Sequence, residues 1–147
     1  MTLVTLRPAT PDDASQLARI LTGWITETLW MSRLHSDAGT EAFLTRQIAD
    51  TSVIVLCDGA MPQGFLARAG EEITCLYLSA EARGRGHGAR LLEDAKTAQP
   101  RLQLWTFQAN AAARRFYARN GFAEIARTDG AANDENLPDV QLEWTRR

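Results

Sequence analysis

Three glycines at alternate positions, Gly84, Gly86 and Gly88, separate an apolar, β-prone run at residues 73–78 from a helical pattern. In that pattern Leu91, Leu92, Ala95 and Ala98 recur at spacings of three, four and seven. Few folds place a strand, a glycine-rich turn and a helix in this order. Glycine reaches positive φ and lets a ligand come close to the backbone. A helix starting there directs unpaired N–H groups and the positive end of its dipole at that ligand. Arg83, Arg85 and Arg90 place positive charge beside the turn. The stretch reads as a phosphate cradle at a helix N-terminus.

A second stretch follows one strand later. Residues 102–107 alternate Leu102, Leu104 and Thr106 against Gln103, Trp105 and Phe107. A crossover helix joins them to residues 73–78, so the two strands should be parallel. Ligands of α/β sheets gather where such strands open at their carboxyl ends. Beyond lies a bounded helix, with Asn110 suited to its N-cap and Gly121 to its C′ position. Asn110, Ala113 and Tyr117 share one face of it, and rise alone separates Asn110 from Tyr117 by roughly 10 Å.

These segments carry a resemblance. Arg83-x-x-Gly86-x-Gly88 resembles the pyrophosphate signature of the GNAT superfamily of N-acetyltransferases, in which Gln or Arg, two residues, Gly, one residue, then Gly or Ala follow in order. Asn110, then Phe116-Tyr117, then Gly121-Phe122, looks like the second cofactor segment of that family. Leu6-Arg7-Pro8-Ala9-Thr10-Pro11-Asp12-Asp13 is similar to the start of many members, and the likeness covers roughly residues 3–145. It implies an α+β protein with an α/β-type mixed sheet: the acyl-CoA N-acyltransferase fold, a central sheet flanked by about four helices. One domain over residues 1–147 suffices for it.

The resemblance also implies acetyl-CoA as co-substrate and a primary amine as acceptor, the amine attacking directly in a ternary complex. Cofactor contacts then fall on backbone at Leu76, Leu78 and Ala80, on Arg83, Gly84, Arg85, Gly86, His87, Gly88 and Ala89, and on Asn110 and Tyr117. Ala80 stands where proline is common in the family, which loosens the turn without removing a donor. Tyr117 matches the position to which the family assigns the acid that protonates the departing sulfur. A phenol of ordinary pKa, about 10, is protonated at neutral pH and available for that role. Asn110 can cap its helix, bond the pantetheine arm, or do both.

Elsewhere the pattern predicts a strand at 3–6 and a helix opened by Thr10 and Pro11, with Leu17, Ile20, Leu21 and Trp24 on its apolar face. Residues 25–36, holding Trp30, Met31, Leu34 and His35, read as helix end and packing aromatics, in a region that walls the acceptor site in the family. A second helix starts at Gly39-Thr40-Glu41. Strands at 52–57, 63–68 and 72–78 are joined by tight turns and so antiparallel. A strand at 122–128, a polar loop at 129–139 and a strand at 140–145 close the sheet.

Other classes lack support. No apolar run is long enough for a membrane span, so no membrane partner is expected. The first residues lack the pattern of a signal peptide, which points to the cytoplasm. Cys57 and Cys75 sit in apolar runs as buried thiols, and with only two histidines no metal spacing occurs. No Gly-x-Ser-x-Gly elbow anchors a hydrolase triad. A net charge of −2 argues against a nucleic-acid partner. Gly84-x-Gly86-x-x-Ala89 also fits a dinucleotide fingerprint, but it lies mid-chain and no acid follows in the next strand.

Several matters stay open from sequence: the acceptor, a base among Glu27, His35, Glu71 and Glu72, a homodimer, and a non-catalytic acyl-CoA sensor. Asp129, Asp134, Glu135 and Asp139 fill the 129–139 loop without a basic residue. They suggest a cationic acceptor, or a plain solvated turn.

Overall fold

The computed structural model describes residues 3–147, so residues 1 and 2 of the expected domain lie outside it. Seven strands form one sheet: β1 (Val4–Pro8), β2 (Ser52–Asp58), β3 (Met61–Ala69), β4 (Glu72–Leu78), β5 (Arg101–Phe107), β6 (Ala123–Thr128) and β7 (Asp139–Thr145). Their order is β1-β2-β3-β4-β5-β7-β6. All neighbours are antiparallel except β4 and β5. Among the described residues the helices are α1 (Ala14–Glu27), α2 (Asp37–Asp50), α3 (His87–Ala98) and α4 (Ala111–Arg119).

Two cores sandwich the sheet. Leu17, Ile20, Leu21 and Leu44 of α1 and α2 bury Val53, Val55, Phe65 and Ala67 on one face. Leu91, Leu92 and Ala95 of α3, with Tyr117 of α4, bury Leu56, Leu66, Leu102, Leu104, Val140 and Leu142 on the other. The mixed sheet with four helices is the α+β arrangement expected. No described helix is long and apolar enough to cross a membrane.

Two expectations need correction. The last strand does not close the sheet at its edge: β7 inserts between β5 and β6, leaving β6 exposed along its length. A loop of residues 129–138 is long enough for that return, and Val140 and Leu142 are apolar enough to need covering on α3 and α4. Next, α2 begins at Asp37 rather than Gly39. The Ser36 hydroxyl accepts the Gly39 N–H at 3.1 Å, so Ser36 is the cap and Gly39 lies inside the first turn. The helix end expected within residues 25–36 falls at Glu27, where Thr28 turns extended and its hydroxyl donates to the Trp24 carbonyl at 2.6 Å.

A β-bulge sets the site. Ala67 pairs with Cys75 and Arg68 with Ile73, so Thr74 is the extra residue on β4. A bulge bends its strand and reverses the alternation beyond it. Ile73 faces the α3–α4 core, whereas Cys75 and Tyr77 face α1 and α2 and Leu76 and Leu78 turn toward α3 and α4. The bend also carries β4 off its neighbour. The parallel ladder to β5 holds only Glu72 opposite Gln103, where the Gln103 N–H donates to the Glu71 carbonyl at 2.9 Å. Past that point the strands part.

The first connection is fastened by an ion pair. The Arg7 guanidinium donates to both Asp13 oxygens at 2.8 Å, and the Thr10 N–H donates to Asp13 Oδ2 at 2.7 Å. Asp13 is buried, and its carboxyl is held below the usual range by the Arg7 hydrogen bonds, burial opposing and Thr10 assisting. Asp13→Asn should lower stability by about 1.5–3 kcal/mol, near the lower figure because Arg7 is partly exposed. A depressed pKa contributes above the unfolded value of ~4 and is lost as pH falls through the folded one. Urea midpoints of parent and variant should therefore converge below about pH 4. A gap unchanged from neutral to acid pH would remove the pair from the stability account.

Candidate acyl-CoA site

Between the diverging strands a cleft of about 670 Å³ runs through the sheet. Leu76, Leu78 and Leu104 wall it, with Thr106, Asn110, Ala113, Phe116 and Tyr117 toward α3 and α4 and Trp24, Tyr77 and Phe107 toward α1. Because the Ser79 N–H bonds the Gln63 carbonyl of β3, strand alternation directs the Tyr77 amide groups to β3. Those of Leu76 and Leu78 therefore point into the split.

Its mouth is the glycine turn. Gly84 and Gly86 have φ of +74° and +81°, and Gly86 is the N-cap of α3. A Cβ on either would meet nothing within 4 Å, so the space above them is open to a ligand. Gly88 answers a different need: a Cβ there would lie 3.0 Å from the Phe116 ring, so glycine lets α3 pack on α4. Among the described residues, the N–H groups of Gly84 to Ala89 make no hydrogen bond. That row of donors at a helix start is a fitting seat for a pyrophosphate.

The arginines divide. Arg83 donates to Glu27 at 2.6 Å and, from Nη2, to the Leu78 carbonyl at 3.2 Å, so its charge is held against α1 and the end of β4. Arg114 pairs with Glu124 and Arg90 with the Val4 carbonyl. Arg119 lines the cleft without an ion pair among the described residues. Ala80 and Arg85 stand outside the cleft lining, whereas Arg83, Gly84, Gly86, His87, Gly88 and Ala89 are in it.

Tyr117 is buried in the cleft wall. It is 7% exposed, its ring held edge-on by Phe116 at 5.2 Å and Phe122 at 5.4 Å. Its hydroxyl has no hydrogen-bond partner among the described residues, and Asp58 Oδ1 is the one sealed side-chain atom left unpaired there. The phenol therefore opens to the cleft. Burial pushes its pKa well up, with Cys75 adding to the effect. It stays protonated and donating at any working pH. Asn110 caps α4, its Oδ1 accepting the Ala113 N–H at 3.1 Å, which leaves its amide nitrogen for the cleft. Cys75, pushed up to about 12 by burial, is inert.

None of the four acids and bases considered from sequence lines the cleft. Glu71 and Glu72 stand at the closed end of the split, His35 is exposed on the α1–α2 loop, and Glu27 is paired to Arg83. Sequence reading passed over Trp24, Tyr77 and Phe107 as site residues. Tyr77 had a usable signal, since flanking residues whose side chains face one helix layer force it toward the other. Among the described residues no cluster of three metal-ligating side chains occurs.

A mixed sheet parted between parallel central strands, with a glycine turn at the opening, is the acyl-CoA N-acyltransferase fold. The acetyltransferase (GNAT) domain model matches residues 49–124, and the chain belongs to that family. A curated relative, the peptidyl-lysine N-acetyltransferase YjaB of Salmonella typhimurium, is 32% identical over 76 residues, which is 52% of each protein. The match thus spans about half that relative's length. Apo YjaB of Escherichia coli shares the fold at a TM-score of 0.81 and 20% identity, over 99% of both chains. The yncA structure of Salmonella typhimurium, with acetyl-CoA, does so at 0.73 and 18%, over 99% of this chain and 95% of that one.

Proposed function

We propose that this protein transfers the acetyl group of acetyl-CoA to a primary amine, which attacks directly while both substrates are bound. One observation carries the reading: an unpartnered tyrosine hydroxyl sits inside a through-sheet cleft whose mouth is ringed by unbonded N–H groups. The N–H groups of Gly84 to Ala89 would hold the pyrophosphate, and the amides of Leu76 and Leu78, with Asn110, the pantetheine arm. Bound there, acetyl-CoA supplies an activated thioester carbonyl. The amine nitrogen bonds to that carbon, the carbon–sulfur bond breaks, the amine loses a proton and the sulfur gains one.

Tyr117 donates its hydrogen bond to the sulfur as charge develops. Full transfer from even an unshifted phenol to a thiolate of pKa ~8.5 is uphill by about 2 kcal/mol, and burial of Tyr117 steepens it. Its role is therefore to stabilise leaving-group charge, and the proton that the sulfur finally gains balances the one the attacking nitrogen loses in becoming an amide. No side chain in the cleft is a strong base, so the amine must enter neutral or lose its proton to water.

The test is thiol release from acetyl-CoA with a panel of primary amines, the acetylated amine identified by mass. Amine-dependent release supports the reading. Tight acetyl-CoA binding without any amine product would make the chain a sensor.

A further inference from the structure

Resting on that reading, we infer that Glu27 is a positioning residue: its ion pair holds Arg83 across the path of the cofactor's arm, and the cofactor binds by exchanging for it. Each of the three guanidinium nitrogens of Arg83 has a protein partner. Nη1 donates to Glu27 Oε2 at 2.6 Å, and Nε and Nη2 donate to the Leu78 carbonyl at 3.3 and 3.2 Å. That carbonyl points into the split, because the Ser79 N–H beside it is the group that bonds β3. An open strand edge of this kind pairs with an extended chain of amides. The pantetheine arm is such a chain, so the guanidinium stands where an amide N–H of the arm would bond.

Arg83 follows the short turn Ala80–Ala82 and directly precedes Gly84, so its side chain starts at the edge of the cradle. Its bonds draw the charge the other way. Arg83 lines both the cleft and a second hollow of about 440 Å³ between α1 and the end of β4, and it is a partition between the two. Glu81 lines that hollow as well but makes no ion pair among the described residues, which leaves Glu27 to fix the guanidinium. Glu27 is the last residue of α1, where a carboxylate meets the negative end of the helix dipole. Local preference does not place an acid there, and Arg83 compensates it. The pair is partly exposed, at 37% for Arg83 and 47% for Glu27, so it sets the resting direction of the arginine yet yields to a pyrophosphate. One movement then frees the Leu78 carbonyl for the arm and the guanidinium for the phosphates. When spent coenzyme A leaves, the arginine returns to both partners and no carbonyl is left bare, which eases release.

The experiment measures coenzyme A affinity by calorimetry in the parent, Glu27→Gln, Arg83→Ala and the double variant, with thermal unfolding of each free protein as the check on folding. Glu27→Gln should bind coenzyme A about twofold to fivefold more tightly than the parent, the range of one exposed ion pair, and release it more slowly. A pair that only braced the fold, or that aimed Arg83 at the phosphates, would make binding weaker or leave it unmoved. Removing a negative charge near an anion acts by itself in either background, so the double variant isolates the coupling. In Arg83→Ala, Glu27→Gln should change affinity by less than about 1.5-fold. The Glu27 carboxylate ¹³C resonance should also shift when coenzyme A is added to the parent and stay in place in Arg83→Ala. Equal or weaker binding in Glu27→Gln, or a tightening that persists without Arg83, overturns the inference and leaves the acetyltransferase reading in place. Failure of the folded parent to bind coenzyme A rejects both.

Discussion

Tyr117→Phe is expected to lower kcat by roughly 10²- to 10³-fold, the loss expected for one hydrogen-bond donor aimed at developing charge. Cofactor affinity should change little. The substitution keeps the ring and its contacts with Phe116 and Phe122, so only the hydroxyl is lost. Its effect falls on kcat because the sulfur carries charge only as the bond breaks. The pH profile adds a second check. Burial raises the Tyr117 pKa, so its deprotonation lies above the accessible range, and activity in the parent should not fall on that account below about pH 10. The rising limb belongs to loss of the amine proton and should survive in the variant. A falling limb near neutrality that disappears in Tyr117→Phe, or full kcat with chemistry rate-limiting, would contradict the assignment.

Gly86→Val should weaken coenzyme A binding by about 10²- to 10⁴-fold, the loss of two charge-assisted hydrogen bonds of ~1.5–3 kcal/mol each. The added side chain would occupy the open space above the cradle, where no protein atom now stands within 4 Å. The fold would also be weakened, since at a φ of +81° a left-handed residue costs about 1–2 kcal/mol when it carries a Cβ. Gly59→Val is the matched control: it has φ of +61°, open surroundings and a place in the β2–β3 turn. It should lose similar stability and keep its affinity. Unchanged binding in Gly86→Val would place the pyrophosphate elsewhere.

The glycine turn and its two flanking elements were legible because each carries its own chemistry: positive φ at Gly84 and Gly86, a cap at Asn110, a stop at Gly121. So was the parallel pair, which a crossover helix demands. The insertion of β7 was not, since strand order depends on which faces need burial and not on any local signal. The bulge at Thr74 was also hidden. Period-two reading puts Ile73 and Cys75 on one face, and only the register with β3 reveals that they part. Tyr77 was legible in principle, because the alternation of residues 75–78 beyond the bulge is regular. The roles of Glu27 and Arg83 were hidden for another reason: their pairing joins positions far apart in sequence, which one chain without its fold cannot disclose.

The account turns on whether acetyl-CoA enters the split with its phosphates on the glycine turn. Amide ¹H–¹⁵N resonances followed during an acetyl-CoA titration test this at each position. The largest shifts should fall on Gly84 to Ala89 and on Leu76 and Leu78, with smaller ones on the side-chain amide of Asn110. Binding that left those amides unmoved, and perturbed another surface instead, would contradict it.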